Sequence, residues 1–382
     1  MGEVAESFDY GLNAAAADFD GINKYIRITD IDDDNRTFKT ESLTSPDCDL
    51  SLADNYKLKN GDILFARTGA SVGRSYLYRD IDGLVYFAGF LIRARINQNF
   101  NAEFVFQNTL TNSYLNFIKI TSQRSGQPGV NAQEYESYLL HTPQINEQQK
   151  LGEFFRTLDN TITLYKRKLD GLKQLKKAYL QQMFPQEGET VPRVRFAGFT
   201  GDWREAKLGE IGTVQMNKRI FKEQTTRTGD VPFYKIGTFG KQPDAFISRE
   251  LFKEYKLNYP YPEKGDLLIS ASGSIGKIVE YTGKDEYFQD SNIVWLQHEG
   301  RLENSFLKQF YAMVQWSEVE GTTIKRLYNK NILETEIAYP EKKEQTAIGN
   351  FFRNLDEQIA TQQTKLDNIK KLKSTYLQKM FV

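Results

Sequence analysis

The side chains best suited to chemistry in this 382-residue chain are hydrogen-bonding ones gathered in glycine-containing loops. The first half carries Arg67, Thr68, Ser71 and Arg74 in residues 67–74, then Gln123, Arg124, Gln127 and Asn131 in residues 122–131. The second half carries Ser272, Ser274 and Lys277, then Gln289 and Asn292, then Thr322, Lys325, Arg326 and Asn329. Arg, Gln, Asn and Ser present donors and acceptors that match the edges of DNA bases, and glycines let the backbone come close. Taken singly, each of these residues is better explained as part of an ordinary polar surface loop. As a set they are loops of the kind that hydrogen-bond to DNA bases and phosphates, which by itself does not establish that role.

Other motifs resemble chemistry without supporting it. In Gly273-Ser274-Ile275-Gly276-Lys277-Ile278 the first glycine stands too near the Gly-Lys pair, and no Ser or Thr follows the lysine, so a phosphate-binding loop is set aside. Asn258-Tyr259-Pro260-Tyr261 has lost a proline from the motif of amino-methyltransferases, no glycine-rich cofactor loop accompanies it, and a turn explains it better. Asp32-Asp33-Asp34 reads as an acidic turn between strands rather than a metal site. Two isolated histidines, His141 and His298, support neither a catalytic triad nor, with the single Cys48, a structural zinc site. No catalytic centre and no metal site are expected.

The lone thiol suits a reducing cytoplasm, and no apolar run approaches the ~20 residues of a membrane span. The formal charge of +0 argues against gripping nucleic acid by bulk charge, while leaving room for local basic surfaces.

The elements that must position the loops come in pairs. The segment from Glu147-Gln148 to Met183-Phe184 recurs, ungapped, from Glu344-Gln345 to Met380-Phe381, with about half of the paired residues identical. In the first copy Phe155, Leu158, Ile162, Leu169, Leu172, Leu175 and Tyr179 lie on a heptad stripe. Phe352, Leu355, Ile359, Leu366, Ile369, Leu372 and Tyr376 form the second stripe. Two helices of about 55 Å, packed on each other antiparallel, cover both stripes. Their basic face, including Lys166, Lys173, Lys176 and Lys373, reads mainly as solvated.

Looser echoes pair Gly2-Glu3-Val4 with Gly209-Glu210-Ile211, and Asn60-Gly61-Asp62-Ile63-Leu64 with Lys264-Gly265-Asp266-Leu267-Leu268. Strands are expected at 25–28, 62–66, 75–78 and 90–96, with counterparts at 233–236, 266–269, 278–281 and 292–296. A helix is expected to follow in each half, at 102–111 and 305–316. The expected fold is α+β: two similar mixed α/β domains joined by the two repeated helices as a pseudo-two-fold antiparallel coiled coil. The domains are placed at 1–143 and 208–340, the helices at 144–184 and 341–382, and a linker at 185–207.

The paired helices, the lead-in from Val191-Pro192-Arg193 through Gly198-Phe199-Thr200-Gly201-Asp202-Trp203 to Lys207-Leu208-Gly209, and the two Gly-Asp strand-loop units resemble the DNA-specificity subunit of type I restriction-modification enzymes over essentially the whole chain. The first half departs from that pattern in opening at Met1-Gly2-Glu3 with no counterpart of the lead-in, as in a trimmed, short or rearranged form.

The resemblance implies a non-catalytic, cytoplasmic subunit. Its two target-recognition domains would each read half of an interrupted, asymmetric sequence in double-stranded DNA. Its helices would set the spacing and dock two modification subunits, with restriction subunits completing the complex. No cofactor is expected on this chain; S-adenosylmethionine, ATP and Mg are implied for the partners. The other compatible reading is a scaffold or decoy of the same architecture that does not read DNA.

Overall fold

The computed structural model describes residues 1–316 and 326–381. The chain divides into two compact units, Met1–Leu169 with Gln362–Val382, and Asp170–Thr361. Each unit therefore combines a globular half with one end of each repeated helix.

The first unit is built on a four-stranded antiparallel sheet in the order Ala5–Tyr10, Leu91–Ile96, Asp62–Ala66, Ser75–Leu77. The second unit has the same order: Thr213–Met216, Ile293–Gln297, Leu267–Ser270, Ile278–Glu280. Each sheet is accompanied by a parallel pair, Lys24–Ile26 with Val85–Phe87 and Val231–Tyr234 with Tyr287–Phe288. The expected strands fall on these, and the expected helices on Ala102–Asn108 and Asn304–Met313. The halves diverge in their additions. The first adds an antiparallel pair of strands, Ala15–Asp18 with Thr44–Asp47, and the second adds the helix Arg249–Asn258. That helix ends at Asn258, so the Asn-Tyr-Pro-Tyr stretch is a helix end.

The Gly-Asp echo is a turn that launches the central strand. Gly61 and Gly265 take φ of +90° and +97°, and the following Asp62 and Asp266 carboxylates each accept an N–H three residues back, from Lys59 and Glu263, at 2.8 Å. Asp62 is then held by Arg95 through Nε and Nη2, both at 3.0 Å. By strand register Gln297 replaces that arginine in the second unit, and burial pushes the Asp266 carboxyl above its ordinary range.

The repeated helices are Ile145–Gln182 and Lys342–Met380, 38 and 39 residues. In the first unit Phe154 meets Tyr376 edge-on at 5.4 Å, Lys373 pairs with Asp159 at 2.6 Å, and the Gln362 amide donates to the Tyr165 carbonyl at 3.3 Å. One number rises as the other falls, so the segments run antiparallel. In the second unit the same partners exchange helices: Tyr179 meets Phe351 at 5.0 Å and Lys176 pairs with Asp356 at 2.6 Å. Two of the lysines expected to be solvated are thus interhelical ion-pair partners.

Phe155, Ile162, Leu169, Phe352, Leu355 and Leu366 are buried, and Leu158, Leu172, Tyr179, Ile359, Ile369 and Tyr376 half-buried. The stripe is narrower than its periodicity implies. Leu175 and Leu372 are each 42% exposed, because straight α-helices drift about 20° per heptad away from a 3.5-residue seam.

Identical residues recur because they seat each helix on its own globular half. The Gln148 side chain accepts the Asn101 N–H at 3.0 Å and donates to the Pro143 carbonyl at 2.8 Å; Gln345 does the same with Glu303 and Pro340, both at 2.9 Å. These contacts lie at the start of the helices Ala102–Asn108 and Asn304–Met313, and Gly152 and Gly349 let the long helix settle there. A Cβ on Gly349 would stand 2.0 Å from Ser305 Oγ, and one on Gly152 2.5 Å from Asn101 Oδ1.

Gly171, exposed in the same helix as Gly152, would meet nothing within 4 Å. Gly349→Val is therefore expected to destabilise by about 3 kcal/mol through overpacking. Gly171→Ala should stabilise by about 0.5–1 kcal/mol through helix propensity. Urea denaturation of the two variants measures both, and equal effects would mean that Gly349 is no seat.

Candidate nucleic-acid interface

The four sheet strands end at loops that are tied together in each unit. In the first, Thr68 bridges Gly129, the Gly69 N–H donates to the Pro128 carbonyl at 2.9 Å, and the Val130 N–H donates to the Arg67 carbonyl at 2.9 Å. Residues 67–74 and 122–131 thus share one surface. In the second, Ser272 bridges Arg326 and the Leu327 N–H donates to the Ala271 carbonyl at 2.8 Å.

Arg67 is the most prepared of the candidates. Its guanidinium lies 5.1 Å from the centre of the Tyr10 ring and 5.8 Å from that of Phe90, which are 45% and 61% exposed. A cation held by two aromatic faces keeps its edge donors free and loses less rotamer entropy on binding. Its own N–H donates to the Phe90 carbonyl at 3.1 Å. Beside it opens a groove of about 600 Å³, lined among others by Asn13, Tyr25 and Arg27. The Tyr25 hydroxyl donates to the Leu12 carbonyl at 2.7 Å, and burial pushes its pKa up. Neither Tyr10 nor Phe90 was an expected site residue, since nothing local to either marks it as an arginine's neighbour.

The remaining candidates divide. Ser71 lies in a turn at Gly69–Ser71, and Gln123 and Gln127 are exposed. Arg124 pairs with Glu134 at 2.5 Å, and Asn131 caps the helix Ala132–Glu136 by accepting the Glu134 N–H at 2.9 Å. In the second unit the Ser272 hydroxyl donates to Asn292 Oδ1 at 2.7 Å, Arg326 Nη2 donates to the Ser291 carbonyl at 2.9 Å, and Ser274 and Asn329 are exposed. Gln289 turns to the Ile236 N–H at 2.9 Å. Thr322 and Lys325 lie outside the described residues.

Arg74 and Lys277, the matching cations after each glycine loop, are engaged within their own units. Arg74 donates to the Ile31 carbonyl at 3.2 Å and pairs with Asp33; Lys277 donates to the Phe239 carbonyl at 2.5 Å. Gly73 and Gly276, at φ +80° and +77°, reverse the chain just before them. Asp33 is thus one partner in the Asp32-Asp33-Asp34 turn, where Asp32 Oδ1 accepts the Asp34 and Asn35 N–H groups. His298 is buried against Asn304, at 2.7 Å.

Strand register aligns the two surfaces residue by residue. Tyr10 and Phe65 pair with Ile92 as Met216 and Ile269 pair with Val294. The positions held by Tyr10, Arg67 and Phe90 are therefore held in the second unit by Met216, Ala271 and Asn292. One backbone frame carries two different chemistries.

The family model described as "Type I restriction modification DNA specificity domain" matches this chain twice, over residues 11–174 and 200–371. A type I restriction enzyme specificity subunit of Haemophilus influenzae is 56% identical over 143 residues, 37% of each chain. The MjaVIII specificity subunit of Methanocaldococcus jannaschii is 23% identical over 278 residues, 67% of this chain and 64% of that one. The matches thus span less than two thirds of either relative's length.

The fold is similar to the crystal structure of a type I restriction-modification S subunit from M. genitalium, with a TM-score of 0.67 at 16% identity over 98% of this chain and 93% of that one. It is also similar to a chain from a study of the assembly of a type I restriction-modification system, with a TM-score of 0.52 at 17% identity over 98% and 97%. With both halves of the chain matched, the chain belongs to the type I restriction-modification DNA specificity family.

Proposed function

We propose that this chain is the DNA-recognition subunit of a type I restriction-modification complex. Each unit reads one half of an interrupted, asymmetric site in double-stranded DNA, and the repeated helices set the gap and dock two modification subunits, with restriction subunits joining the full complex. The subunit is itself non-catalytic: methyl transfer with S-adenosylmethionine, and translocation and cleavage with ATP and Mg, belong to those partners. The observation that carries this reading is the contrast between unlike side chains at register-matched loop positions and repeated helices that share about half of their paired residues without a gap. Unlike readers are needed for unlike half-sites, whereas two copies of one partner require two copies of one docking surface.

Arg67→Ala, assembled with its modification subunits, is expected to weaken or relax only one half-site, by about 1–3 kcal/mol if the guanidinium contacts a base. Asn292→Ala should act only on the other half-site. Methylation profiling on a randomised duplex library reads both. Equal loss at every sequence would make Arg67 a phosphate contact, and no sequence preference in the unaltered complex would favour the non-reading scaffold.

A further inference from the structure

Most arginines of the first globular half are already paired. Arg27, Arg74, Arg79, Arg93, Arg95 and Arg124 each meet a carboxylate. Arg67 meets none among the described residues, and its guanidinium makes no hydrogen bond to them either. Its place is fixed all the same. The Arg67 N–H donates to the Phe90 carbonyl at 3.1 Å, the Arg67 carbonyl accepts the Val130 N–H at 2.9 Å, and the Tyr10 and Phe90 rings stand 5.1 and 5.8 Å from the guanidinium. Tyr10 is tied in turn, its hydroxyl accepting the Ala132 N–H at 3.4 Å.

An unpaired arginine can serve DNA in two ways, and the surroundings decide between them. A phosphate is held by converging N–H donors and positive charge. The groove of about 600 Å³ beside Arg67 offers little of either: its walls include Gly11, Ala14, Ala16, Ala88 and Gly89, and its other cation, Arg27, is committed to Asp30 through bonds of 2.8 and 3.0 Å. The Gly11 and Gly89 N–H groups are used as well, donating to the Leu91 and Leu12 carbonyls at 3.2 and 2.8 Å.

Small apolar walls beside a fixed, planar set of donors suit the edge of a base pair instead. In the major groove guanine presents two acceptors, O6 and N7, to such a fork. Adenine and cytosine present an amino group that finds no acceptor on arginine, and thymine presents one acceptor beside a methyl group.

We propose that Arg67 reads a guanine in the half-site of the first unit, with Tyr10 and Phe90 as the positioning residues that hold its fork toward the base. The proposal rests on the DNA-reading role above and names the base that one of its contacts takes. The second unit lacks the device, since Met216, Ala271 and Asn292 hold the matching positions, so this guanine contact belongs to one half-site only.

The test is methylation by the full chain assembled with its modification subunits, on a randomised duplex library to map the site and then on defined duplexes. Arg67→Ala is expected to lose about tenfold or more of the preference at one G·C pair, with the other half-site unchanged. Arg67→Lys should lose it equally, because lysine keeps the charge but not the two-pronged fork. With the unaltered complex, 7-deazaguanine at that pair removes the N7 acceptor and should lower methylation, whereas the Arg67→Ala complex should be indifferent to it. Phe90→Ala should weaken the same preference and no other.

The guanine assignment is overturned if Arg67→Lys retains the preference that Arg67→Ala loses, if the loss is equal at all sequences, or if it falls on an A·T pair. It is equally overturned if 7-deazaguanine affects both complexes alike. In each of those cases the unaltered complex still selects its site, so the DNA-reading role survives. An unaltered complex with no sequence preference would remove that role and the proposal with it.

Discussion

A fragment ending at Phe184 is expected to sediment as a two-fold dimer. Residues 1–184 lack the second helix, so Phe104 loses the Phe381 ring stacked on it at 5.1 Å, Phe154 loses Tyr376 and Asp159 loses Lys373. A second copy can return all three, because Phe184, Tyr179 and Lys176 are the repeat counterparts of those residues and make the equivalent contacts with Phe306, Phe351 and Asp356. Helices matched in this way should pair about a true two-fold axis.

Phe184→Ala in the fragment should cost about 3–5 kcal/mol for each of two sites, enough to dissociate it at micromolar concentration. On the proposed function, the dimer with modification subunits would methylate an interrupted palindrome built from one half-site. A stable monomer at tens of micromolar would end the claim that the helices are interchangeable. A dimer that methylates a non-palindromic site would leave the pairing intact but overturn the half-site assignment.

Arg195→Ala should destabilise the second unit by about 3–5 kcal/mol, since it leaves a charge buried without its partner. The Glu344 side chain is 1% exposed, and Arg195 Nε and Nη2 both reach it at 2.7 Å, which also holds the Arg195 pKa above its ordinary value. Arg195 further donates to the Gly201 and Thr200 carbonyls at 2.7 and 3.1 Å, so its loss should also release the lead-in. The measurements are a denaturant titration and limited proteolysis, with new cleavage expected within residues 190–203. Replacing both partners, as Arg195→Met with Glu344→Leu, should recover most of the loss, because two apolar groups leave no bare charge. If the single variant were as stable as the unaltered chain, the pair would be behaving as a surface salt bridge.

Much of the architecture was legible before any coordinate. The central strand at Asp62–Ala66 and its partner at Leu267–Ser270 follow from apolar runs introduced by Gly-Asp turns. The short strands Ala15–Asp18, Thr44–Asp47 and Arg204–Lys207 were not expected, because alanine, proline and charged residues give no period-two pattern and these strands exist only through their partners. Leu175 and Leu372 show the converse: they continue the heptad periodicity on paper yet lie off the face that the partner helix covers.

Among the candidate site residues, the sequence determined the loops but could not rank their side chains. It fixed the twofold repeat, the long helices and the glycine-bearing segments, since periodicity, turn preference and identity are properties of neighbours along the chain. Only the tertiary structure distinguished Arg67, set between Tyr10 and Phe90, from Arg74, turned back onto Ile31 and Asp33 seven residues later. It alone gave Gln148, Gly152, Gln345 and Gly349 their task of seating the helices. The physical reason is one of range. A guanidinium's usefulness depends on which carboxylates, carbonyls and rings lie within a few ångströms, and strand pairing brings those from positions tens of residues away.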